Sequence, residues 1–175
     1  MTDLRSLPFN PEFREGARNA VHTCLRLEKE EKVTVIADRA CQDIAASIVA
    51  ELRELGCRYK AFVLEDLAPR PLVDMPPVIL EDLETSQVSI FSVYAQQNEL
   101  KTRMQMTDVV NRRKIRHGHM VNIEPRIMLQ GMRADFNKVD DLSKRREDVG
   151  FGDGHFYGLL CLEGARGGSA GAGAA

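Results

Sequence analysis

Apolar positions along this chain repeat at two alternating periods. Phe13, Ala17, Val21, Cys24 and Leu25 recur at helical spacing, and Asn10-Pro11-Glu12 ahead of them has the composition of a helix start. The charged run 28–32 closes that helix. Val33-Thr34-Val35-Ile36-Ala37 is short, β-branched and apolar, and predicts a buried strand ended by Asp38. Ile44, Ile48, Leu52 and Leu55 return to a spacing of three or four, with Gly56 placed to stop the helix. Residues 61–64 predict a second strand. Strand, helix and strand in succession predict a right-handed crossover and a parallel sheet.

The prolines from Pro69 to Pro77 exclude helix interior and central strand between those positions. A short helix over 78–83, a strand over 88–93 and a helix over 99–113 follow. The stretch Arg116-His117-Gly118-His119-Met120 falls where a fourth strand is due. Pro125 opens a last predicted helix carrying Ile127, Leu129, Met132, Phe136, Val139 and Leu142. The expected fold is therefore a three-layer, Rossmann-like α/β sandwich on a mostly parallel sheet. Nine of the thirteen glycines lie at 150–175, so the domain is expected to end at 149, with 150–175 as a flexible Gly/Ala-rich tail.

Composition narrows the function classes. The hydrophobic fraction of 43% and charged fraction of 29% are those of a soluble globular domain. A formal net charge of −2 offers no footprint for nucleic acid. The N-terminal residues lack the apolar run of a signal peptide, and no segment is long enough for a membrane helix. The expected location is cytoplasmic. Cys24, Cys41, Cys57 and Cys161 form no C-x-x-C pair, so neither a zinc ribbon nor a dithiol redox motif is expected; Cys24 and Cys57 read as small buried hydrophobes.

Candidate chemistry is sparse. The turn after the first strand, Asp38-Arg39-Ala40-Cys41-Gln42-Asp43, contains no glycine, which excludes a dinucleotide fingerprint and a phosphate loop. Asp38 has two readings: a ligand contact at the carboxyl edge of the sheet, or a helix cap. Cys41 near that edge is a nucleophile only if a histidine lowers its pKa; otherwise it is a passive thiol. His117 and His119, two apart on a strand, project from one face. That is a workable pair of metal ligands lacking an assigned third, or a pair with hydrogen-bonding duties.

The segments Arg18-Asn19-Ala20-Val21-His22-Thr23-Cys24-Leu25, Lys32-Val33-Thr34-Val35-Ile36-Ala37-Asp38 and Glu51-Leu52-Arg53-Glu54-Leu55-Gly56, with RHGHM at 116–120 and PRIMLQGMRADF at 125–136, resemble a known family. It is the N-terminal domain of the thermophilic-type metalloaminopeptidases, the leucyl aminopeptidase or aminopeptidase T-like group. The resemblance covers residues 10–149. It implies a two-domain, homodimeric enzyme that removes N-terminal amino acids from peptides with a pair of divalent metals (zinc, cobalt or magnesium). In the family the metal ligands lie in a C-terminal domain that residues 150–175 do not resemble. No metal or catalytic residue is therefore carried onto this chain, and no cofactor is expected in it. The composition break after Val149 suggests a truncated or frameshifted reading. Asp38, His117, His119 and Arg126 are left as candidate cleft-lining or substrate-contacting residues. A free-standing small-ligand module, with Asp38 and Gln96-Gln97-Asn98 as contacts, is the alternative.

Overall fold

The computed structural model describes residues 2–135, Lys138 and residues 161–162. Asn10 lies in the turn that leads into the first helix, where its side-chain oxygen accepts the N–H of the N-cap residue Glu12 at 3.0 Å. The helix is two-part. An α-helical turn, α1 (Phe13–Arg18), passes into a π-helical segment, Asn19–Cys24, where the Leu25 N–H reaches back to the Ala20 carbonyl at 2.9 Å.

The remaining elements are β1 (Lys32–Ala37), α2 (Gln42–Leu55), β2 (Arg58–Val63), α3 (Pro77–Leu83), β3 (Val88–Val93), α4 (Leu100–Arg113), β4 (Arg116–Val121), α5 (Pro125–Leu129) and the two-residue β5 (Cys161–Leu162). The strands lie in the order β2-β1-β3-β4-β5. The first four are parallel; β5 pairs antiparallel with His117 and Gly118. β1 and β3 are buried almost throughout because each has a neighbour on both sides and helices on both faces.

Two cores flank the sheet. One packs Val33, Val35, Val88 and Ile90 against α1, the π-segment and the Ile44, Ile48 and Leu52 face of α2. The other packs Ile36, Phe62 and Phe91 against α3, α4 and the connection that carries Leu72 and Met75. This is the expected three-layer α/β sandwich. Gly56 ends α2 with φ +79°, the left-handed conformation that its position as a helix stop requires.

Three expectations need correction. β2 begins at Arg58, three residues before the expected start, because its first half alternates exposed and half-buried and so lacks a continuous apolar run. Cys24 is half-buried rather than a core residue, whereas Cys57 is buried. The long last helix is not formed over its predicted span. α5 stops at Leu129, Gln130 leaves the helical region at φ −124°, ψ −74°, and one 3₁₀ turn follows at Gly131–Arg133. Docking overrides the local periodicity: Asn19 Nδ2 donates to the Met132 carbonyl at 2.8 Å, and Met128 and Met132 close over Gly16. Phe136, Val139, Leu142 and nearly all of the 150–175 tail lie outside the described residues. Among the described residues, no helix is long and apolar enough to cross a membrane.

Candidate functional site

The chain leaves β1 toward β2 on one side and later places β3 on the other. The carboxyl ends of β1 and β3 therefore flank the topological switch point, where open α/β sheets bind their ligands. Asp38 stands there, fully buried at the end of β1. Its Oδ1 accepts the Cys41 N–H at 2.9 Å, ahead of α2. Its Oδ2 accepts the Tyr94 N–H at 2.7 Å, at the end of β3, and Arg70 Nη1 at 2.6 Å. Asp38 thus closes the turn that leads into α2 rather than capping the helix, whose N-cap is Cys41. On the crevice side it meets this chain's own arginine.

Arg70 is the residue that sequence reasoning missed. It lies in the proline-rich connection, and its side chain is 3% exposed. Its Nε donates to Glu99 Oε1 at 2.9 Å and its Nη2 to the Tyr94 carbonyl at 2.8 Å, with a further ion pair from Nη2 to Glu99 Oε2. Glu65 Oε1 lies 3.6 Å from Nη1. Glu99 Oε1 also accepts the Leu72 N–H at 2.8 Å, which fixes the connection to the start of α4. The planar fork of five donors is matched by carboxylates and a carbonyl on every side. Burial pushes the Glu99 carboxyl up, but the hydrogen bonds from Arg70 and Leu72 outweigh it and hold the group below its ordinary value.

Cys41 lies at the edge of this cluster. Its Sγ faces the Ile123 carbonyl at 3.7 Å, and burial, reinforced by the Asp38 charge, pushes the thiol up to about 12. A thiol so held is protonated at neutral pH, which is the passive reading.

His117 and His119 do project from one face of β4, and their use is legible from their partners. His117 is fully buried, with Nδ1 at 2.7 Å from Ser89 Oγ and Nε2 at 3.0 Å from His119 Nδ1. A shared metal ion needs two lone pairs aimed at a point about 2.0–2.1 Å from each nitrogen. The two nitrogens face each other at hydrogen-bonding distance, and no third metal-ligating side chain joins them among the described residues. Burial and then the neighbouring His119 push His117 down to about 3, so it is neutral. Burial and the charge of Arg103 push His119 the same way. His119 also stacks on Phe91, with ring centroids 5.7 Å apart. The arrangement is a neutral relay, Ser89 to His117 to His119, that ties β3 to β4 beneath α4.

Arg126 is an exposed residue paired with Glu124 at 2.7 Å, and Gln96, Gln97 and Asn98 are exposed in the turn after β3. The structure brings neither group to Asp38 by any hydrogen bond or ion pair among the described residues. No group of three or more His, Cys, Asp and Glu that could hold a metal ion occurs among the described residues.

No protein-family model matches the sequence, and no curated protein matches it. Among solved structures, 2,5-dihydroxypyridine dioxygenase from Pseudomonas putida KT2440 is similar at a TM-score of 0.44 and 10% sequence identity, over 64% of this chain and 34% of that protein. The chain thus spans about a third of that protein's length.

Proposed function

We propose that residues 1–149 are the N-terminal, non-catalytic domain of a metal-dependent aminopeptidase, serving as a supporting wall for a catalytic domain. The observation that favours this reading is the filled crevice. A ligand-binding or catalytic α/β domain keeps its switch point open to solvent. In this chain Arg70 occupies that place, and both oxygens of Asp38 are committed. The free-standing small-ligand module, which relied on Asp38, loses its principal contact.

A second observation agrees. Val73, Leu100, Met104 and Tyr94, which are 78%, 61%, 55% and 50% exposed, follow or adjoin the Arg70 cluster in the connection, the start of α4 and the end of β3. Exposed apolar side chains gathered near one edge are a surface for another domain or chain. In this reading the divalent metal pair and the peptide substrate belong to a catalytic domain other than residues 1–149. The domain is cytoplasmic and works within a homodimer.

The test is a leucyl p-nitroanilide assay on the purified chain with added cobalt, zinc or magnesium. The expected result is no release of p-nitroaniline above buffer. Turnover that is abolished by a chelator overturns the reading. A panel of amino acids and nucleotides in thermal unfolding is expected to give no rise in Tm that grows with concentration. Such a rise favours the ligand module.

A further inference from the structure

We infer that the free edge of β2 is a docking groove for an extended, acidic peptide segment, which adds to the sheet as a further strand. β2 is the terminal strand of the sheet at that side. A groove of about 520 Å³ opens along it, with Cys57, Arg58, Tyr59, Lys60 and Ala61 on one wall and residues 2–5 on the other. A strand presents half of its peptide groups to each side, so the side of β2 away from β1 carries hydrogen-bonding groups with no ladder partner among the described residues. No proline, glycine or bulge interrupts the strand. Its outer residues span about 16–20 Å, the reach of five or six extended residues.

Charge selects the occupant. Four ionic side chains line the groove: Asp3, Arg5, Arg58 and Lys60. Asp3 is spent on Arg5, with Nε to Oδ1 at 2.9 Å and Nη2 to Oδ2 at 3.0 Å. Arg58 donates to a neutral acceptor, the Glu30 carbonyl, at 3.3 Å. Lys60 is half-exposed and lies 4.0 Å from Asp82, which already holds Lys32 at 2.6 Å. Among the described residues Arg58 has no carboxylate partner, and Lys60 shares Asp82 with Lys32. A second copy of this chain is a poor occupant, because antiparallel pairing of β2 with itself brings the Arg58 and Lys60 side chains of the two copies opposite or next to one another. The same lysine and arginine that guard an edge against self-association admit a strand of opposite charge.

The experiment uses the full chain and a fluorescein-labelled Glu-Val-Glu-Val-Glu peptide, followed by anisotropy, with Lys-Val-Lys-Val-Lys as the counterpart. Binding of the acidic probe alone is expected, weakening with salt and about tenfold weaker for the Arg58→Gln/Lys60→Gln variant. Both positions are solvent-facing, so the variant keeps its fold, checked by circular dichroism. An acidic probe with alternate amides N-methylated separates strand addition from simple attraction: it is expected not to bind. Equal binding of the methylated probe, equal binding of the lysine probe, or no binding of the acidic probe overturns the inference.

Discussion

Replacing Arg70 by methionine is the sharpest perturbation this fold offers. The side chain is 3% exposed, and its guanidinium joins Asp38, Glu99 and the Tyr94 carbonyl. Methionine fits the volume but supplies no donor. Asp38 keeps the Cys41 and Tyr94 N–H groups, and Glu99 keeps the Leu72 N–H. Both carboxylates then lie in a low-dielectric site with their cation gone. Breaking a buried ion pair from one side costs about 3–5 kcal/mol, a large part of the roughly 5–15 kcal/mol that holds a domain of this size. With an unfolding entropy of about 2.1 cal/mol/K per residue over roughly 135 residues, that loss lowers Tm by about 10–18 °C. The assay is urea unfolding followed by far-ultraviolet circular dichroism, at pH 7 and at pH 4.5. In the parent chain Glu99 is held below its ordinary value, so its contribution is present above the unfolded pKa of about 4.3 and is lost as pH falls through the folded value. In the variant, burial acts on Glu99 without the opposing guanidinium, its folded pKa rises, and protonation relieves the strain. The deficit is therefore largest at pH 7 and narrows toward pH 4.5. Arg70→Lys, which keeps the charge but not the fork, is expected to fall between the two. A deficit below about 1 kcal/mol at pH 7, or one that does not change with pH, refutes the account.

Three further outcomes are expected. His117 is held neutral at about 3 in the folded state, below its unfolded value of 6.5, so its contribution is present above pH 6.5 and is lost as pH falls below it. His117→Gln therefore flattens the stability slope between pH 6.5 and 5 by up to about 1.4 kcal/mol per pH unit, read by urea unfolding; an unchanged slope removes His117 from the acid response. Gly16→Ala places a Cβ 2.8 Å from the Met128 carbonyl and 2.9 Å from Met132 Cβ, and is expected to destabilise by about 1–3 kcal/mol. Gly118→Ala meets nothing nearer than Leu25 Cδ1 at 3.5 Å and is expected to cost far less, so equal thermal shifts for the two glycine variants contradict the packing described.

The legibility of this fold followed the locality of its signals. β1 was visible because its continuous β-branched run needs no partner to be recognised, β3 because Val88, Ile90, Phe91 and Val93 cluster in a short uncharged stretch, and α2 because its apolar spacing ends at Gly56. The start of β2 was hidden by its place at the sheet edge, where Arg58 and Lys60 alternate with half-buried residues and look like a loop. The end of α5 was hidden for another reason: Met132 continues a helical period, but its position is set by Asn19, 113 residues away in sequence. The candidate site divides the same way. His117 and His119 announced themselves by their spacing, and Asp38 by its position at a strand end. Arg70 did not, because its partners lie 32 and 29 residues from it and no spacing rule joins a proline-rich loop to them. An arginine set between Pro69 and Pro71, in a segment that cannot be helix, was the one local hint.

The strand order also bears on how this chain emerges from a ribosome. β1 meets β2 26 residues later, from Val33 to Tyr59, but meets β3 only 55 residues later, from Val33 to Val88. Closing the longer loop costs only about 0.6 kcal/mol more, so the delay is one of synthesis rather than of thermodynamics. At about 5–20 residues per second, the 29 residues that separate Tyr59 from Val88 take about 1.5–6 s to appear. Throughout that interval the β3 side of Val33-Thr34-Val35-Ile36-Ala37, an apolar β-branched segment without a charge, has no partner on its own chain. β1, an interior strand of the finished sheet, is thus open during synthesis to capture by a chaperone or by a neighbouring copy.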